Sequence, residues 1–197
     1  MQKTKLKNTI CLFGDSITYG AYDTEKGGWG ERLRNFLDSS NYDARVYNCG
    51  ICGDNSDGLL YRFKVECEAR EPDIIFLSIG INDSQFIVSQ NSRAVDMENY
   101  SHNFQKIITQ AKQHTDKVFV LGLTDIDETR TIPVIYNEDK HYYKKNVQEY
   151  DAAAEELSEK NNCTFIDLSG LISEDDLFDG VHPTSSGHEK IFNRIKD

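Results

Sequence analysis

The chain has 197 residues, a length that suits one domain around a single core. Its 22 basic against 33 acidic side chains leave a formal charge of −11, which repels phosphate backbones and argues against nucleic acid as a partner. No segment approaches the ~18 apolar residues of a membrane span, and five cysteines, an odd number, do not make the paired framework of a small secreted domain.

In chain order, Met1-Gln2-Lys3-Thr4-Lys5-Leu6-Lys7 is basic, but the apolar run behind it is too short for the core of a secretory signal. The chain therefore reads as soluble and cytoplasmic. A first strand is predicted from Thr9 to Phe13, and Gly14-Asp15-Ser16-Ile17-Thr18 follows it directly. A second strand, Arg45 to Asn48, runs into Cys49-Gly50-Ile51-Cys52-Gly53-Asp54-Asn55-Ser56. Glycines there let the backbone turn sharply and present N–H groups to a ligand. The C-x-x-C spacing of Cys49 and Cys52 lacks a second cysteine pair or a nearby histidine, so it reads as incidental rather than as a redox pair or half of a zinc site.

The third strand, Asp73 to Ile79, is nearly continuous in apolar residues, as a central parallel strand covered on both faces should be. Gly80-Ile81-Asn82-Asp83 sets an amide side chain at its exit. Met97, Tyr100, Phe104, Ile107 and Ala111 then recur at helical spacing, as do Tyr143, Val147, Tyr150, Ala154 and Leu157, and both stripes are expected to be core. A fourth strand spans Lys117 to Leu123. Behind it the charged stretch Thr124 to Pro133 is expected to overhang the site and shape its pocket, its charges reading as a solvated loop in preference to contacts for a polar alcohol such as a sugar. The fifth strand, Thr164 to Asp167, precedes Asp179-Gly180-Val181-His182, and a last helix is expected to begin near Thr184 or Ser185.

Five strands alternating with helices imply a three-layer α/β/α sandwich on a five-stranded parallel sheet, with ligands beyond the carboxyl ends of the strands. Ser16, Gly53 and Asn82 follow strands one, two and three, and Asp179 and His182 follow strand five, so one crevice can collect them. The set supplies a serine nucleophile, an imidazole to take its proton, a carboxylate to orient the imidazole, and donors for the oxyanion of a tetrahedral intermediate. His188 is read as structural, and His102, His114 and His141 as solvated residues of helices. Asp15 is read as shaping the turn by bonding back to nearby backbone.

These four blocks, in this order, resemble the SGNH hydrolase superfamily, the GDSL-type esterases and lipases. Trp29-Gly30-Glu31-Arg32-Leu33 and Arg62 are similar to the family's helices after the first two blocks. The resemblance covers about Ile10 to His188 and implies a flavodoxin-like fold and metal-free, cofactor-free hydrolysis of esters or thioesters. Carried over residue by residue, it implies Ser16, Asp179 and His182 as catalytic residues. Its oxyanion hole would be the backbone N–H groups of Ser16 and Gly53 with the Asn82 amide.

Two competitors remain at this stage. An α/β-hydrolase needs Gly-x-Ser-x-Gly, and Thr18 stands where its second glycine belongs. A non-catalytic nucleotide- or flavin-binding module would use the loop after strand one to cradle phosphate. Within the hydrolase reading, thioesterase or acyltransferase action stays open. A coenzyme A ester would want basic phosphate contacts, for which Lys3, Lys5 and Lys7 are the few candidates. No long apolar lid argues for an oil interface, which leaves a small soluble acyl ester as the expected substrate.

Overall fold

The computed structural model describes residues 8–40 and 42–196. The basic opening segment and its three lysines therefore lie outside the described residues. Five strands, β1 (Asn8–Gly14), β2 (Ala44–Gly50), β3 (Ile74–Ser78), β6 (Val118–Leu121) and β8 (Thr164–Ile166), form one sheet in the order β2-β1-β3-β6-β8. Every neighbouring pair in it is parallel.

The helices lie on both faces because the central strands β1 and β3 bury consecutive side chains, and so both faces. On one face Phe13 packs against Phe63 of α3 (Ser56–Arg70), with ring centroids 4.6 Å apart. On the other, Phe76 meets Trp29 of α2 (Gly28–Ser39) and stacks on Phe119. The stripes expected from sequence are helices α4 (Met97–Ala111) and α6 (Lys144–Lys160), and Tyr100, Phe104, Ile107, Tyr150 and Ala154 are buried in the core. Removing such apolar side chains from water contributes about 1.5–3 kcal/mol each. The last helix, α7 (Ser185–Lys196), packs beside α2, completing the three layers.

Strand order reverses between β1 and β3, so chain leaving their carboxyl ends diverges and opens a crevice there. Over that crevice lies a feature the sequence reading did not contain. Three two-residue strands, β4 (Phe86–Ile87), β5 (Ser92–Arg93) and β7 (Lys140–His141), make a second, antiparallel sheet in the order β5-β4-β7. His141, expected in a helix, is a half-buried residue of β7 whose Nδ1 lies 3.1 Å from the Tyr143 hydroxyl. His102 is an exposed residue of α4, as expected, whereas His114 lies in the turn just beyond that helix. No helix among the described residues is long and apolar enough to cross a membrane.

Candidate active site

Each end of the sheet's crossovers delivers one part of the site. Asp15 closes β1 and caps the short helix α1 (Ser16–Tyr19), its Oδ1 accepting from the Ile17 N–H at 2.9 Å. That cap places Ser16 at the first position of α1, where a backbone N–H has no intrahelical acceptor. Burial pushes the Asp15 carboxyl up to about 7, against the pull of the Ile17 N–H and His182. Its position fits a residue that shapes the turn.

Ser16 Oγ lies 2.8 Å from His182 Nε2, although 166 positions separate the two in sequence. His182 Nδ1 lies 2.8 Å from Asp179 Oδ2, and the other carboxylate oxygen accepts from the backbone N–H groups of Val181 and His182. Burial alone would push the Asp179 carboxyl up. The bonds from His182 and these two N–H groups outweigh it and hold the group below its ordinary value. Asp176, the alternative carboxylate nearby, is committed elsewhere: its oxygens accept from Ser173, Ser186 and Lys190.

The loop carrying Asp179 and His182 is braced by the stretch expected to be solvated. Ile126, Asp127 and Thr131 are buried, and a short helix α5 (Glu128–Thr131) runs through it. Arg130 donates to the carbonyls of Leu177, Phe178 and Glu174, while Asp127 bonds Thr129 and Arg130 and its own N–H donates to the Gly180 carbonyl. Its charges are therefore satisfied internally, and the stretch buttresses the site from behind rather than overhanging it. Gly180, at φ +95, lies so close to Arg130 that a Cβ would come within 2.9 Å of its side chain.

Gly53 and Asn82 arrive from β2 and β3. Gly53 has φ +79, and a Cβ there would meet nothing within 4 Å, so its backbone borders open space at the cavity wall. Asn82 Nδ2 donates to the Asp54 carbonyl at 2.8 Å, and Asn82 Oδ1 accepts from the Tyr142 hydroxyl at 2.7 Å. Arg62 ties this loop to the nucleophile strand: Nε bonds the Asp54 carboxylate at 2.9 Å and Nη2 donates to the Gly14 carbonyl at 3.1 Å. Ser56 N–H donates to the Asp83 carboxylate, whose burial raises it to about 6.

Ser16, Gly53, Asn82 and His182 all line one cavity of about 770 Å³, within the usual range for small-molecule sites. Sequence reasoning missed its walls: Tyr19 at the end of α1, Tyr22 from the loop after it, and Gln85, Gln90, Tyr136 and Tyr142 from the second sheet and its connections. Tyr22 stacks on Phe178 and its ring centroid lies 5.0 Å from that of His182. The loop bearing Tyr22 is pinned by Asp23, which bonds Arg32, and by His188, whose Nε2 meets the Ala21 carbonyl. Burial lowers His188 to about 4, so it stays neutral at physiological pH, consistent with a structural residue. Cys49 is buried and Cys52 exposed on the cavity wall, both as free thiols.

The arrangement can do one kind of chemistry directly: pass a proton from a serine hydroxyl to an imidazole backed by a carboxylate, beside an amide donor in a confined space. The sequence profile of the GDSL-like lipase/acylhydrolase family matches residues 12–190. The chain belongs to the GDSL-like lipase/acylhydrolase family. It is a carboxylic ester hydrolase, as membership of this acylhydrolase family entails.

Among relatives, esterase TesA of Pseudomonas aeruginosa is 24% identical, over 95% of this chain and 85% of its own length. An acetylxylan esterase of Geobacillus stearothermophilus is 23% identical over 73% of this chain and 67% of its own. The uncharacterised YpmR of Bacillus subtilis is 26% identical over 98% and 82%. In structure, the acetylxylan esterase Axe2 of G. stearothermophilus superposes with a TM-score of 0.76 at 19% identity, covering 97% of this chain and 94% of that one. LAE5, an α/β hydrolase enzyme from the Lake Arreo metagenome, gives 0.76 at 20% identity, covering 96% and 94%. Both likenesses speak to the fold shared by this GDSL-like hydrolase.

Proposed function

We propose that the chain is a single hydrolase domain that cleaves a small soluble acyl ester through an acyl-enzyme on Ser16. The observation carrying this reading is the chain of two 2.8 Å contacts from Ser16 Oγ through His182 to Asp179. Ser16 Oγ attacks the acyl carbonyl while His182 takes its proton. The backbone N–H groups of Ser16 and Gly53 and the Asn82 amide receive the oxyanion. His182 then protonates the departing alkoxide, and a water activated by the same imidazole releases the acid. Asp179 holds the ring in the tautomer that leaves Nε2 free to accept, and offsets the charge it gains.

The cavity walls favour a polar alcohol. Four tyrosines and the amides of Asn55, Gln85 and Gln90 offer hydroxyl-binding groups beside flat rings, a lining suited to an acylated sugar, and one relative bears the name acetylxylan esterase. Among the described lining residues Lys140 is the one lysine or arginine, a poor match for the phosphates of a coenzyme A thioester. Five free thiols suit a reducing compartment such as the cytoplasm. A hydrolysis panel of acetyl, butyryl and longer aryl esters, acetylated sugars and acyl thioesters tests the reading. Acetyl esters of sugars should lead in kcat/KM; preference for long-chain esters or thioesters would overturn this substrate assignment.

A further inference from the structure

We propose that Tyr142 is a positioning residue that locks and polarises the Asn82 amide for the oxyanion. The inference rests on the reading above that Asn82 serves as an oxyanion donor. Tyr142 lies between β7 and α6, 60 positions from Asn82, is 1% exposed, and spends its single proton on Asn82 Oδ1 at 2.7 Å. At the other end of the same amide, one Nδ2 hydrogen goes to the Asp54 carbonyl at 2.8 Å. An amide nitrogen carries two hydrogens, so one remains for the cavity that Asn82 shares with Ser16 and Gly53.

The two bonds together fix the amide in one orientation. Flipping it would set Oδ1 against the Asp54 carbonyl, two acceptors with no proton between them, and would end the bond from Tyr142. Donation into Oδ1 also draws electron density through the amide and makes its free N–H a stronger donor, by the mutual polarisation that links hydrogen bonds in series. Tyr142 stays a donor at any working pH, because burial pushes its phenol well above the ordinary value. The far anchor is equally firm, since Arg62 holds Asp54 to the exit of β1.

The test is a double-mutant cycle on purified protein with an aryl acetate, reading kcat and KM separately. Tyr142→Phe keeps the ring and removes only the hydroxyl. It should lower kcat about ten-fold with KM within about two-fold, while Asn82→Ala should lower kcat about 100-fold or more. In the Asn82→Ala background, adding Tyr142→Phe should change kcat by less than about two-fold. A Tyr142→Phe enzyme with wild-type kcat, or one losing the same ten-fold in both backgrounds, overturns the inference while leaving the esterase reading in place. If Asn82→Ala itself were silent, the oxyanion assignment beneath it would fail instead. Thermal unfolding of each variant separates a misfolded enzyme from a mispositioned amide: a large drop in melting midpoint for Tyr142→Phe, tracking its kcat loss, would assign the hydroxyl to packing and also overturn the inference.

Discussion

Two regions of this molecule meet at the cavity and are built in different ways. The loops beyond β1, β2, β3 and β8 carry Ser16, Gly53, Asn82, Asp179 and His182 on short contiguous motifs, each braced by buried polar contacts such as Arg62 to Asp54 and Arg130 to the Leu177 carbonyl. The β5-β4-β7 sheet carries Gln85, Ile87, Gln90 and Lys140 on strands of two residues and the turns between them. The first region is tied to the parallel sheet and, in the proposed mechanism, fixes the reacting geometry. The second is a covering wall whose side chains decide what fits. Changes in the first should therefore act on kcat, and changes in the second chiefly on KM, Tyr142 excepted because its hydroxyl reaches across to the Asn82 amide.

The largest expected break in that division is Ser16→Ala, which should cost at least about 10⁴-fold in kcat/KM with an unchanged circular dichroism spectrum. Asp179→Asn should lower kcat by about 10²- to 10⁴-fold and by no more than His182→Ala, measured on the same ester. Because Asp176 already accepts from Ser173, Ser186 and Lys190, it offers no ready substitute orienter. Arg130→Met should orphan three loop carbonyls, lowering the unfolding free energy by about 1–3 kcal/mol in a denaturant titration and kcat by about ten-fold. At the wall, Gln90→Ala should raise KM for the preferred ester about three-fold and leave kcat within about two-fold, the sign of lost uniform binding. A Gln90→Ala enzyme with depressed kcat and wild-type KM would erase the distinction between the two regions.

A pH experiment sharpens the same contrast through stability. Asp15, in the chemistry region, has its folded-state value raised by burial from 3.8 to about 7. The native state therefore binds the proton more tightly than the unfolded chain, and stability falls as pH rises between those values and levels off above them. Asp15→Asn keeps an oxygen for the Ile17 N–H and carries no such cost. Its stability advantage over the parent protein should grow by about 2 kcal/mol between pH 5 and pH 8. An advantage independent of pH would show that Asp15 is not held protonated by its surroundings.

What could be read from sequence follows the same boundary. The parallel sheet was legible because strands such as Ile74–Ser78 are apolar runs and helices such as α4 keep an apolar stripe. That Ser16, Gly53, Asn82 and His182 would meet at one cavity was legible because each sits in a short motif, the first three just after a strand and the last, with Asp179, in the stretch between β8 and α7. The second sheet was not, since two-residue strands carry no periodicity and its pairings, such as Phe86 with His141, join segments 55 positions apart. Tyr142 gave no local signal, because its partner is 60 positions away. The stretch from Thr124 to Pro133 misled for a different reason: its charges resemble a solvated loop, yet Asp127 and Arg130 neutralise one another and satisfy backbone groups internally.

If Ser16 is the nucleophile, a reagent that traps activated serines should find it. Incubation of the full chain with a fluorophosphonate, followed by proteolysis and mass analysis, should place one adduct on the peptide containing Ser16, with activity lost in proportion to labelling. Ser16→Ala should take up no label. Full activity after exhaustive treatment, or an adduct on another residue with Ser16 unmodified, would remove Ser16 from the nucleophile's role.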